Sequence, residues 1–543
     1  MCTDAFAQQV IANGTVVTAG PSTTTAANGS SGIGLWALNN GEITSSAPIT
    51  VTTSGSGGAH AAVAESDGSI DVFAGSTLTT TGASAFGAFA SGGGTITLED
   101  GTRIIARASA LRSALGGTIN ATNVVASTTG SNTIGANADR GTIILQGGSI
   151  TTSSGTLNHG LGVTTSGSIE ATGVTVSASG EGISATSGGQ ATFTGGTITS
   201  AMTGANASLG SVIAISNASI TATGANIAGV RSGNSTVTLS NSSVSTTSTA
   251  TTGANAIGLL AENNGTLSAT GSNVTTSGAL STGAQANTGG TVNLAGSAAA
   301  RTRIMTQNVN TRGVVTTGGT INVSFTDVFT GSHAIVAENT GQIHFRDGTP
   351  TVNATGTNLV GLAVNQGGRI DSTGPLTVNM LAPASGGSAG RTAAYVHDGG
   401  QLALAPGAVF NITGGVGGAG ITIDNSILEA PVDQLTINLN SSATTGSTGV
   451  ISINAGQANI SNLTVGGLSA GSGVYARGAG SQAVITGTSR FDISASSPNF
   501  YELTSTSFLP VGGIIATGFS TTGVTPSTAF HASDGATILA LDR

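Results

Sequence analysis

Three glutamates invite a chemical reading. Glu65, Glu262 and Glu338 stand at the same place in a recurring phrase, seen in AENNGTL and AENTGQI. Their neighbours at that place across the copies are Asn39, Asn40, Asn263, Asn264 and Asn339. Carboxylates stacked beside amides would suit a hard cation. The alternative is conformational, because Asn and Gly accept the left-handed backbone that a sharp corner requires. Asn side chains can also stack in ladders along a repeating structure. Leu38 fills the glutamate's place in ALNNGEI. The acid is therefore replaceable, and the copies lie far apart in the chain. The corner reading is preferred.

Two further clusters combine acids and bases: Glu99, Asp100, Arg103 and Arg107, and His344, Arg346 and Asp347. Polysaccharide lyases and hydrolases need clustered carboxylates as acid and base or as calcium ligands, often with a basic residue. Each of these clusters occupies one short stretch, without partners at matching places in neighbouring copies of the phrase, so each reads as a solvated loop. His60, His159, His333, His344, His397 and His531 are scattered without metal-ligand spacing. GGVGGAG at 414–420 lacks the strand–helix context of a phosphate loop and the Asp periodicity of calcium-binding nonapeptides. It reads as a linker or turn.

Composition excludes more. There is no Lys among 14 Lys+Arg, so Schiff-base and P-loop lysines are ruled out. The net charge of −9 offers no concentrated basic surface for nucleic acid. Cys2 is the only cysteine, which precludes an intrachain disulfide or a Cys-based metal cluster. No run of 18 apolar residues suggests a transmembrane helix. The expectation is a protein with no catalytic, cofactor-binding or metal residues, no cofactor, and no enzymatic role.

The elements that would position these side chains are strands. Hydrophobic residues make up 38% of the chain, many of them isolated Ile, Val and Leu between Thr or Ser. That alternation is the strand pattern, and β-branched residues fit a pleated surface. A phrase of Gly, a polar residue and an aliphatic recurs at Val16, Ile43, Ile70, Ile96, Ile119, Ile143, Ile169, Val212, Leu267, Val292, Ile321, Ile343, Ile370 and Leu402. Looser copies fall at Phe193 and Val237. The mean spacing is about 25 residues, the signature of a repeat architecture. A small, apolar run precedes the phrase, and a third strand such as Ser219-Ile220-Thr221-Ala222 follows it. Three short strands and three turns per repeat make one coil of a right-handed, single-stranded parallel β-helix. The all-β solenoid would have about 20 coils, with one loop per coil free to vary in length. Thr-x-Thr triplets at 50–52, 77–79, 95–97, 197–199 and 221–223 resemble the rows of ice-binding solenoids. Coils of unequal length are expected to keep such rows from aligning.

The phrases small-apolar-apolar-Ala-x-x-x-Gly-x-Ile, GGTITS at 195–200 and SNASITATG at 216–224 resemble the passenger domains of classical, pertactin-like autotransporters over nearly the whole chain. The resemblance implies a β-helix secreted to the surface of a Gram-negative bacterium, in the outer membrane or outside the cell. It implies adhesion, aggregation or host interaction, with a surface protein or glycan as partner. A polysaccharide-active lyase or hydrolase is the alternative. Departures are the absence of an Arg-Gly-Asp tripeptide, of a Gly-Asp-Ser-Gly protease motif, and of the alternating strands of an outer-membrane translocator barrel. Ala5-Phe6-Ala7 has the form of a signal-peptide cleavage site. Residues 1–7 are thus expected to be a signal remnant and 8–489 the passenger. Phe491, Phe500, Phe508, Phe519 and Phe530, with Pro498, Pro510 and Pro526, mark 490–543 as a looped or incomplete continuation, truncated before its barrel.

Overall fold

In Thr95–Leu98, Ile96 and Leu98 are fully buried while Thr95 and Thr97 are half-buried. This period-two burial repeats along the chain and places one face of each strand in a core. A computed structural model describes residues 9–493 except 21–23, 28–31, 56, 154, 156, 249–254, 309, 349, 357–358, 382–389, 414–417, 429–431, 441–446, 469–471 and 479. Beyond these it describes the strands Gly513–Thr517, Phe519–Thr522, Thr528–Ser533 and Thr537–Leu541. The described residues contain strands and no helix.

The chain divides into two compact units, Met1–Thr249 with Gly265–Leu267, and Ala250–Asn264 with Ser268–Arg543. Each unit is a β-solenoid whose turns, with few exceptions, give one strand to each of three parallel sheets, at roughly 26 residues per turn. One turn of the first unit comprises Leu111–Ala114 in the first sheet, Thr118–Thr122 in the second and Val125–Thr128 in the third. Each strand pairs with its counterparts in the turns before and after it, as Thr118–Thr122 does with Thr95–Leu98 and Thr142–Gln146. Backbone groups are thereby satisfied between turns.

The recurring aliphatics become a core file. Ile43, Ile70, Ile96, Ile119, Ile143 and Ile169 lie in register on successive strands of the second sheet, each 1% exposed or less. Val292, Ile321, Ile343, Ile370 and Leu402 do the same in the second unit. Two phrase positions are corrected. Val16 and Val212 face outward at 69% and 42% exposure, and their neighbours Val17 and Ile213 align with the core files instead. Phe193 pairs with Ala171, one inward place beyond Ile169.

The corner after many first-sheet strands is a two-residue left-handed turn. Asn39 and Asn40 have φ of 51° and 61°, and Gly41 N closes the turn on Leu38 O at 2.9 Å. Ser66 and Asp67 (φ 50° and 61°) and Asn339 and Thr340 (φ 50° and 63°) repeat it. The closing glycine has a different constraint from the one its sequence suggests. Gly41, Gly68 and Gly94 are not left-handed; a Cβ there would collide with the carbonyls of Ala12, Ala37 and Ala64 in the preceding turn.

Length varies between the second and third sheets, from residues 123–124 in one turn to 296–301 in another, and also between the third and first sheets. Residues 107–110 make that connection in one turn and 152–158 in another. Buried hydroxyls hold these loops. Thr80 Oγ1 donates to Ala85 O at 3.1 Å, Thr152 Oγ1 to Asn158 O at 3.0 Å, and Thr133 Oγ1 to Thr128 Oγ1 at 2.8 Å.

Candidate binding surfaces

The outward faces of the three sheets carry most of the charged and amide side chains, so candidate sites are built across turns. The corner glutamates do not gather. Glu65 accepts from Trp36 Nε1 at 2.8 Å. Glu338 accepts from Thr317 Oγ1 at 3.2 Å and lies 3.5 Å from Arg312 Nη1. The strands Thr282–Asn287 and Arg312–Thr317 separate Glu262 from Glu338 in the first sheet. Glu65 and Glu338 each tie their corner to the turn before it.

The cluster Glu99, Asp100, Arg103 and Arg107 is also dispersed. Glu99 Oε2 accepts from Ala74 N at 3.2 Å at one corner. Arg107 stands beyond the other end of Arg103–Ala106, where Nη1 donates to Thr81 O at 3.4 Å. There it lines an open groove of about 630 Å³ with Thr79, Thr81, Thr129 and Ser131.

The cluster at His344 is assembled, by a residue the sequence reading did not include. His344 lies in register with Asp371 of the next turn. Asp371 Oδ2 is 2.8 Å from His344 Nδ1 and 3.1 Å from Arg369 Nε, while Oδ1 is 3.1 Å from Arg346 Nη1. The expectation that no matching place in a neighbouring coil holds a partner is therefore wrong. Aligning Ile343 with Ile370 would have set His344 opposite Asp371. Asp347 stands apart; its carbonyl accepts from Phe325 N at 3.2 Å. One carboxylate shared by two guanidiniums and an imidazole can fix all three in place. The outer edges of Arg346 and Arg369 could receive an anion, and His344 is held by Asp371.

The other histidines serve separate local contacts. His60 stacks on Phe86 with centroids 4.8 Å apart and 3° between planes, and its Nδ1 accepts from Phe86 N at 2.9 Å. Burial, then the nearby Arg112 charge, pushes its pKa down to about 4. His333 is pushed down by burial and then by Arg312. His159 Nδ1 accepts from Glu181 N at 3.2 Å. His397 stacks on Tyr395 at 4.5 Å and lies 2.9 Å from Asp398 Oδ2. Among the described residues no three His, Cys, Asp or Glu side chains are grouped to hold a metal. The His531 side chain, Cys2 and residues 414–417 of the Gly-rich stretch lie outside the described residues.

Sequence reasoning missed one constellation altogether. Trp36, Val63, Phe89 and Arg112 hold the same outward place on four successive first-sheet strands. Phe86 and Phe89 lie 5.5 Å apart at 52°, and the Arg112 guanidinium carbon is 4.8 Å from the Phe86 ring centre. The signal available was the rarity of aromatics, 3% of the chain, combined with the phrase register.

The chain matches no family model and no curated protein.

Many of the remaining outward positions are small and polar. Asparagines form a ladder on the third sheet, and at the corner Asn39 donates to Asn13 at 3.0 Å. Asn379 donates to Asn353, Asn411 to Asn379 and Asn438 to Asn411, at 2.8–2.9 Å. The Thr triplets align locally, contrary to expectation, because length variation is confined to loops. Thr52 pairs with Thr79, and Thr199 with Thr221. Ile105 interrupts the first of these rows, and 95–97 belongs to the second sheet.

Proposed function

We propose that this chain is a cell-surface β-solenoid of the autotransporter-passenger type, secreted by a Gram-negative bacterium and acting in adhesion, aggregation or host contact. The observation that carries this reading is the solenoid itself, three parallel sheets of short turns whose outward faces are files of Ser, Thr and Asn. Such faces suit an extended partner, a surface protein or a glycan, bound through many shallow contacts. An outer-membrane translocator barrel would be the export partner. Protease shaving of intact cells of the source bacterium tests the reading. Loss of the chain from intact cells, with cytoplasmic markers untouched, is the expected result. A chain that stays protected until lysis would refute it. In-frame barrel strands in the DNA downstream of Arg543 would add support.

The cluster of His344, Asp371, Arg346 and Arg369 favours a second reading, a polysaccharide-active enzyme. Purified chain releasing new reducing ends or unsaturated products from acidic polysaccharides, with His344→Ala abolishing release, would establish it over the first.

A further inference from the structure

The first-sheet patch around Trp36 differs from the other outward faces in chemistry. It concentrates the single Trp of the chain, two of its 14 Phe and a histidine ring over four turns. Trp36 and Phe89 lie on strands separated by one other, which sets them about 10 Å apart at the usual strand spacing. Val63, 3% exposed, forms the floor between them. The Trp36 indole is fixed by its hydrogen bond to Glu65. His60 and Phe86 form a stacked wall beside Phe89.

At the edge of this patch stands Arg112. Arg301, Arg312, Arg346 and Arg369 all lie against carboxylates. Arg112 has no carboxylate or hydrogen-bond acceptor among the described residues; it is held over the Phe86 and Phe89 rings at 4.8 and 5.8 Å. Its Nε is enclosed and unpartnered. The terminal amino groups therefore carry an uncompensated positive charge on an aromatic backing, in a chain of net charge −9. A guanidinium presents a planar fork that matches a carboxylate. Aromatic faces accept the apolar C–H faces of sugar rings, and a carboxylate such as that of Glu65 accepts from sugar hydroxyls. The overall negative charge disfavours a polyanion such as nucleic acid, which needs many cations.

We propose that this patch binds an oligosaccharide carrying a carboxylate, with sugar rings on Trp36 and Phe89 and the carboxylate on Arg112. The inference rests on the reading that outward faces are binding surfaces, and it names the ligand class for one of them.

The single Trp makes the site directly observable, since any change in tryptophan fluorescence reports Trp36 alone. Purified full chain is titrated with a glucuronyl-terminated trisaccharide and, separately, with its methyl ester, which keeps the shape and loses the charge. Calorimetry runs in parallel. The acid is expected to bind with a saturable change at Trp36. The ester should bind roughly tenfold more weakly or worse, the loss of one charge-assisted hydrogen-bonded contact. Arg112→Gln should bring the acid down to the level of the ester, while Arg301→Gln, whose guanidinium lies against Asp327, leaves it unchanged. Equal binding of acid and ester, absence of binding, or heat without a Trp36 signal would each overturn the proposal. So would a short glutamate-rich peptide that moves the Trp36 signal at lower concentration than the sugar, since the partner would then be a protein. The wild-type comparison of acid and ester decides the question even if Arg112→Gln does not fold. Because the measurement uses purified chain, its failure is independent of whether the chain is displayed on cells.

Discussion

At the residue scale, two kinds of glycine with similar sequence context carry different constraints. Gly94 is needed because the preceding turn's Ala64 carbonyl occupies the space of a Cβ. Gly210 is needed for φ +76° and has open space around it. Gly94→Ala should therefore destabilise the first unit by about 3 kcal/mol, as overpacking against unyielding backbone does. Gly210→Asn should stay within about 0.5 kcal/mol, since Asn adopts the left-handed region readily. Urea unfolding of the two variants separates these cases. His60 gives a pH signature. Its pKa is about 4 in the folded chain against 6.5 ordinarily, so between those values only the unfolded chain binds the proton. Its contribution is complete above about pH 6.5 and is lost as pH falls toward 4, by up to about 3 kcal/mol. His60→Gln should flatten that part of the curve of urea midpoint against pH. An unchanged slope would show that His60 is not the group responsible.

At the scale of elements, stability between turns comes from core files together with side-chain ladders on the outer faces. Asn411 both donates to Asn379 and accepts from Asn438, whereas Asn438 makes only one of these links. Asn411→Ala is expected to cost about 1–2 kcal/mol and Asn438→Ala roughly half of that, at about 1 kcal/mol or less per hydrogen bond. Equal costs for the two variants would mean that the ladder adds nothing beyond each side chain's own packing. Strand identity was legible from the alternation in runs such as Thr95–Leu98, and the corner from Asn-Asn-Gly. The partners of His344 became legible only when copies of the phrase were set side by side, Ile343 on Ile370. Asp371 lies 27 residues on, and Arg112 meets Phe86 and Phe89 across adjacent turns. A stretch-by-stretch reading sees each of these residues alone.

At the scale of each whole unit, a solenoid turn contacts chiefly its two neighbours, so turns behave as modules. In the first unit Thr197 and Ser219 occupy equivalent places on successive third-sheet strands. Excising residues 197–218 therefore removes one complete turn and joins Gly196 to Ser219 in register. The shortened chain should keep its far-UV circular dichroism per residue and melt within about 4 °C of the parent, a change of about 1 kcal/mol. Excising 197–207 instead removes the strand Thr197–Ser200 and nearly all of Ala205–Ser208 but keeps Val212–Ser216. That chain would have to run from the second sheet directly back to the second sheet, and should aggregate or lose the β signal.

The sequence alone determined the strands, the three-strand period and the parallel solenoid, because each follows from local patterns: alternating aliphatics, left-handed Asn corners and a glycine every turn. It did not determine which side chains meet on the outer faces. Those contacts form between residues one turn apart, and that offset changes with the connections, chiefly the one between the second and third sheets: it is 22 residues from Thr197 to Ser219, where residues 217–218 make that connection, and 27 from His344 to Asp371, where 346–350 make it. Only the stacked core, by forcing Ile onto Ile through successive turns, set the register that brings Asp371 under His344 and Arg112 beside Phe89.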